Sequence, residues 1–172
     1  GNKLVGVDAL FEDREGCLWV GSSAGLTRLT DRRGYTLGKE EGILGSLGMA
    51  VRQSRDGSIW ASSWTGGVAR IQNGVTRQYA AGAPLSHESV TVIYEAPDGT
   101  MWFGNRGSSV DRLDGDKVTT FVFPPGVATS RPVSALYSGP DGEFLIGIAQ
   151  RGLLQLRDGR ITRVPAAAEL DA

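Results

Sequence analysis

The chain writes one pattern four times, and that repetition limits the fold more than any other feature of it. Acidic-Gly pairs stand at Glu15-Gly16, Asp56-Gly57, Asp98-Gly99 and Asp141-Gly142, with the glycines 41, 42 and 43 residues apart. Three residues after each glycine comes Trp19, Trp60, Trp102 or Leu145, and two further on comes Gly21, Ser62, Gly104 or Gly147. Arg28-Leu29, Arg70-Ile71, Arg112-Leu113 and Gln155-Leu156 recur nine or ten residues beyond the Trp or Leu. Ala9, Ala50, Val92 and Ala135 lie seven residues before the glycines. Each unit holds four short β-like runs; in the third they are Val90–Glu95, Thr100–Asn105, Ser109–Asp114 and Lys117–Val122. Acidic-Gly and Asn-Gly pairs between runs supply the positive φ that tight hairpins need. A period near 42 with four strands per unit predicts an all-β propeller of four-stranded antiparallel blades, at about 4–40, 46–82, 88–124 and 131–165. An ordinary sandwich is the alternative, and sandwiches do not repeat internally.

In such a blade the first strand lines the central channel, where small residues such as Ala9, Ala50 and Ala135 suit a crowded axis. The tryptophan on the second strand fills the gap between neighbouring sheets. Trp19, Trp60, Trp102, Gly16, Gly57, Gly99 and Gly142 are therefore read as structural, and Leu145 predicts a weaker contact at the fourth blade. Arg28, Arg70 and Arg112 keep the period, which predicts structural salt bridges between blades. Cys17, the single cysteine, reads as a small buried hydrophobe in a strand and excludes an intramolecular disulfide.

Composition removes other classes. Lys plus Arg is 18 against 19 Asp plus Glu, a net charge of −1, which argues against a nucleic-acid binder with its basic excess. No apolar stretch approaches the roughly 18 residues that span a bilayer, so no membrane insertion is expected of this segment. No metal-ligand spacing appears and no cofactor is expected.

The motifs resemble the two-component regulator propeller repeat: a short apolar strand, Asp-x-x-Gly-x-x-Trp-x-Gly, then Gly-Leu. The match runs through Glu12–Gly21 with Gly25-Leu26, through Asp56–Trp60 and Asp98–Gly104, and weakens at Asp141–Gly147. The resemblance implies a periplasmic sensor of a bacterial membrane receptor, with a histidine kinase or diguanylate cyclase as output domain and, in many members, a carbohydrate ligand. The family's rings are larger, of about seven blades. Four whole blades without a terminal clasp form a small ring, a segment of a larger ring, or half of an eight-bladed dimer. The reading favours a fragment or a half-ring that self-associates through exposed blade edges over a lone four-bladed monomer.

Antiparallel connectivity sorts the loops onto two ends. The tight turns lie at one; the loops between strands two and three and between blades, Lys39–Gly48, Ala80–Ser89 and Pro124–Pro132, lie at the other. Varied loops on a rigid scaffold carry function, so the second end is the expected recognition face. Trp64 is the one tryptophan outside the repeated position and suits stacking on a sugar; local packing is the equal alternative. Arg106 suits a carboxylate or phosphate. Ser63, Asn105 and Gln150 share these loops, and His87 is the only histidine. The leading expectation is a non-catalytic sensor of a small molecule or carbohydrate. The alternatives are a propeller enzyme resembling streptogramin lyases, whose metal-binding histidines a chain with one histidine cannot reproduce, and a pure protein-binding scaffold.

Overall fold

The computed structural model describes residues 6–165 except 24, 31–33, 44, 46, 82–83, 128–130 and 140–141. Asp141 of the fourth turn, and parts of all three inter-blade loops, thus lie outside the described residues.

Four sheets follow one another along the chain. Blade 1 comprises β1 (Val7–Glu12), β2 (Leu18–Ser22), β3 (Gly25–Leu29) and β4 (Gly34–Leu37). Blade 2 comprises β5 (Leu47–Gln53), β6 (Ile59–Ser63), β7 (Val68–Gln72), β8 (Val75–Ala81) and a short β9 (Pro84–Leu85) that pairs parallel to β8. Blade 3 is β10 (Val90–Glu95), β11 (Met101–Asn105), β12 (Ser109–Asp114) and β13 (Lys117–Val122). Blade 4 is β14 (Val133–Ser138), β15 (Phe144–Ile148), β16 (Gly152–Arg157) and β17 (Arg160–Arg163). Within each blade the four main strands pair in chain order as an antiparallel meander. The expected propeller blades are what the chain forms. The parallel β9 is an addition to the repeat, and its two residues are too few to carry a periodic signal.

The inner strands stand side by side in turn: β1 beside β5, β5 beside β10, β10 beside β14. Among the described residues β14 makes no comparable approach to β1. Among the described residues the blades form an arc about an axis, with Leu10 and Leu18 exposed at one end and Tyr137 and Leu153 at the other. Each inner strand of blades 1, 3 and 4 breaks register between its first and third residues, at Val7/Ala9, Val90/Val92 and Val133/Ala135. Such a bulge adds local twist, which the wedge shape of a blade needs.

Strand register assigns the blade faces, because residues directly opposite one another in an antiparallel pair share a face. Phe11 faces Trp19, which faces Arg28. That side meets the next blade: Trp19, Leu26, Phe11 and Leu37 pack with Ile59, Ala61, Ala69, Val51 and Ile71. Trp60 and Val68 pack in the same way with Ile93, Met101, Phe103 and Leu113. Trp102 and Val110 pack with Leu136, Phe144, Ile146 and Leu154. Each tryptophan is thus a plug in the seam between two sheets, burying about 150–250 Å².

A buried indole N–H needs a partner, and three blades provide it differently. Trp19 Nε1 donates directly to the Asp13 carboxylate at 2.7 Å. Trp60 Nε1 donates to the Ser54 hydroxyl at 3.1 Å, and that hydroxyl donates to Asp56 at 2.5 Å. Trp102 Nε1 donates to Thr100 Oγ1 at 3.1 Å, which donates to Asp98 at 2.7 Å. Every route ends on a carboxylate of the acidic-Gly turn, so the turn both folds the hairpin and anchors the plug.

The periodic arginines correct one expectation. Arg70 reaches Asp56 at 2.6 Å and Arg112 reaches Asp98 at 3.3 Å, both inside their own blades. Cross-strand register explains it: Arg28, Arg70 and Arg112 sit opposite Trp19, Trp60 and Trp102. Each guanidinium therefore lies over its own indole, 5.4–5.8 Å from the ring centroid, and extends to the turn of the same hairpin. Cys17 is buried, but it precedes β2 rather than lying in it, and Arg28 Nη2 donates to its sulfur at 3.0 Å.

Candidate recognition face

Three segments from two blades meet at the loop end of the seam between blades 2 and 3. The β6–β7 loop runs from Ser63 to Gly67, the β11–β12 loop from Asn105 to Ser109, and the Ser86–Ser89 strap connects β9 to β10. Backbone hydrogen bonds tie the strap to both loops: Gly67 N donates to Glu88 O at 2.8 Å, and Arg106 N to Ser89 O at 3.1 Å. Gly67 is required by geometry. Its φ is +78°, and a Cβ there would fall 2.1 Å from the Tyr79 carbonyl oxygen.

Buried polar side chains hold the loops. Ser63 accepts the Gly66 N–H at 2.7 Å and donates to Gly67 O at 3.4 Å. Fully buried Asn105 accepts the Gly107 N–H at 2.7 Å and donates to Ser86 and Ser109 hydroxyls, each at 3.3 Å. Beneath them Asp111, also buried, accepts from Ser86 N, Ser86 Oγ and Thr120 Oγ1 at 3.0, 2.8 and 2.6 Å. The hydroxyls and backbone N–H groups around Asp111 take the place of a counter-charge.

Upon this base stand the two residues that depart from the repeat. Arg106 lies over Trp64 with its guanidinium carbon 4.9 Å from the ring centroid, and both side chains are exposed. His87 is half-buried; its Nδ1 accepts the Ser89 N–H at 3.0 Å, so the imidazole is fixed in the strap. A Cβ on Gly107 would approach the His87 ring to 3.0 Å. The fold therefore brings Trp64, Arg106 and His87 into one patch and commits Ser63 and Asn105 to supporting it. Gln150, at φ 60°, belongs to the exposed turn of blade 4 and stands apart from this patch. Asp111, the deepest support, and its exposed partner Ser86 have no repeated signal to reveal them.

The patch offers an indole with one face against a cation, and a guanidinium that has no hydrogen-bond partner among the described residues. Together they suit a flat or pyranose ring bearing an acceptor. Among the described residues no group of three or more His, Cys, Asp or Glu could hold a metal ion. No helix among them is long and apolar enough to cross a membrane, which says nothing of spans built from strands.

The two-component regulator propeller family matches residues 4–24 and 84–107. No curated protein matches the chain. Among solved structures, virginiamycin B lyase from Staphylococcus aureus is similar at a TM-score of 0.74 and 19% identity, over 97% of this chain and 58% of that one. The extracellular domain of BT3049, assigned as a hybrid two component system of B. thetaiotaomicron, is similar at 0.75 and 19%, over 95% of this chain and 25% of that one. The computationally designed Ika4 protein is similar at 0.58 and 13%, over 96% of this chain and 99% of that one. The chain thus spans little more than half of the lyase and a quarter of the BT3049 domain; at these identities the likeness concerns the fold. Two segments of this arc of propeller blades thus match the two-component regulator propeller repeat, and blade 2 has the same strand-turn-Trp unit.

Proposed function

We propose that this arc is a non-catalytic, ligand-sensing part of a bacterial signalling receptor that works in the periplasm. A carbohydrate, or another small ring with an acceptor group, binds on the Trp64–Arg106 patch. The bound state alters how the propeller associates, and so acts on an output domain such as a histidine kinase or diguanylate cyclase. The single observation that carries this reading is the 4.9 Å stack of Trp64 and Arg106. Two residues from different blades, both outside the repeat and both exposed, converge over a buried polar base whose hydrogen bonds rigidify them.

Titration of neutral sugars and uronic acids against the full chain tests the site. Trp64→Ala is expected to weaken binding of both classes at least tenfold, and Arg106→Ala that of the acids preferentially, with thermal stability unchanged. Binding that is indifferent to both variants, or no binding across the panel, sinks the reading.

The likeness to virginiamycin B lyase supports an enzymatic alternative. His87 is the sole histidine, and its Nδ1 is occupied by the Ser89 N–H. Incubating the chain with virginiamycin B and following the antibiotic by mass spectrometry separates the readings. The sensor reading expects it to remain intact.

A further inference from the structure

The outermost strands of the four blades differ in charge. β4 carries none, and β13 has Lys117 alone. Arg77 of β8 is paired with Asp116 at 2.6 Å. β17 reads Arg-Ile-Thr-Arg, and Arg157 stands directly opposite Arg160 across its hairpin. Arg157, Arg160 and Arg163 are exposed, and none of them joins an ion pair among the described residues. From residue 144 to residue 165 the single acid is Asp158, in the turn between Arg157 and Arg160. Like charges directly opposite one another destabilise a strand pair. The rim of blade 4 thus concentrates positive charge that the fold itself does not use, in a chain of net charge −1.

The same edge has backbone groups to offer. Hydrogen-bonded pairs alternate along an antiparallel ladder. The two-residue turn at Asp158-Gly159 makes Arg157 and Arg160 one such pair, Gln155 and Thr162 are the next, and Val164 N donates to Leu153 O at 3.0 Å. Ile161 and Arg163 therefore turn their N–H and C=O groups away from β16, and among the described residues no strand pairs with that edge. The molecule already shows how such an edge is filled. In blade 2 the short β9 lies parallel to β8 as a fifth strand, with Pro84 opposite Ala80 and Leu85 opposite Ala81.

Charge selects the occupant. A second copy of β17 would set arginine against arginine in either orientation, and edge charges of this kind turn like strands away. An acidic strand meets the opposite condition. We propose that the outer edge of blade 4 recruits an extended acidic segment of a protein partner as a fifth strand. Its backbone bonds to Ile161 and Arg163. Two of its carboxylates, three residues apart and so about 10 Å along a strand, pair with Arg160 and Arg163, and Arg157 adds its charge to the first.

Fluorescence anisotropy on the full chain tests this with a short blocked threonine-rich peptide that carries two glutamates three residues apart. Saturable binding is expected, and the amides of Ile161 and Arg163 should gain protection from hydrogen exchange. Arg160→Gln and Arg163→Gln should each weaken binding about two- to fivefold, the strength of one opposite-charge pair across strands, and leave the unfolding midpoint unchanged. N-methylation of one alternate set of peptide amides should abolish binding, and N-methylation of the other set should spare it. Equal binding of the two methylated forms reveals a contact of charge alone and overturns the proposal. So does a lack of binding, or equal binding of a peptide with lysine in place of both glutamates. Oligogalacturonate or phosphatidylglycerol vesicles that bind through these arginines where the peptide does not would overturn it as well.

Discussion

The seam between blades 1 and 2 and the seam between blades 3 and 4 join the same two strand pairs by different chemistry. In the first, Trp19 packs against aliphatic side chains, and Arg14 fastens the turn end to Gln53 and Ser54. In the second, Pro97 stands where the arginine would be. Aromatic surface replaces it: Trp102 stacks on Phe144 at 3.9 Å and on Phe121 at 5.5 Å, and Tyr94 meets Phe144 edge-on at 6.0 Å. The seam between blades 2 and 3 combines the two, with Trp60 against Tyr79 and Phe103 and with Arg55 on Glu95. A blade repeat therefore specifies that a seam be filled and its polar ends paired, while leaving open which residues do so.

Deleting a plug should break the aromatic seam most. Trp102→Ala is expected to destabilise the chain by about 4–5 kcal/mol, the upper part of the range for large aromatics, and Trp19→Ala by about 3. Chemical unfolding of both variants checks the order; a larger loss at Trp19 removes the distinction between the seams. Asp13→Ala keeps the plug and strips its indole N–H of a partner, together with the acceptor for Cys17 N at 2.8 Å. The expected loss is about 1–3 kcal/mol. Asp13→Asn, which retains an acceptor, should recover part of it in the same assay.

A smaller effect is expected at the Arg55–Glu95 pair. Arg55→Ala should cost about 1 kcal/mol, because the arginine is largely solvated although Glu95 is not. Pro97→Ala should change the unfolding midpoint by less than that, and a double-mutant cycle of Arg55 with Glu95 measures the coupling.

The smallest effect is that of acid. Burial raises the Asp56 pKa, but the hydrogen bonds from Ser54 and Ser58 and the charge of Arg70 outweigh it and bring the group down to about 2. Its folded pKa lies below the ordinary 3.8, so its contribution is present above that value and is lost as pH falls towards 2. The carboxylate is half exposed, so solvent screening leaves less than about 1 kcal/mol. Asp56→Asn should flatten this part of the stability profile between pH 4 and 2.

Much of the fold is legible in the amino-acid order. Trp19, Trp60 and Trp102 fall at one spacing after a turn signal, and a periodic large apolar residue in a strand has few places to go but a sheet interface. What stays hidden depends on register or on position-to-position exchange. The period of Arg70 suggests a bridge between blades, because spacing along a strand does not say which residue lies across from it; pairing with Trp60 keeps it at home. The indole acceptors Asp13, Ser54 and Thr100 occupy two different places in the repeat, so alignment alone conceals their shared task. Trp64 and Arg106 are separable from the pattern because they break it. Their convergence needs the strap from Ser86 to Ser89, whose bonds to both loops leave no mark in composition.

Blade-resolved hydrogen exchange on the dilute chain tests the arc itself most directly. Blades 2 and 3, covered on both faces, should hold their amides longest. Blade 1, with Leu10 and Leu18 bare, and blade 4, with Tyr137 and Leu153 bare, should open first. Equal protection of all four would mean that the terminal faces are already joined, and the open arc would be wrong.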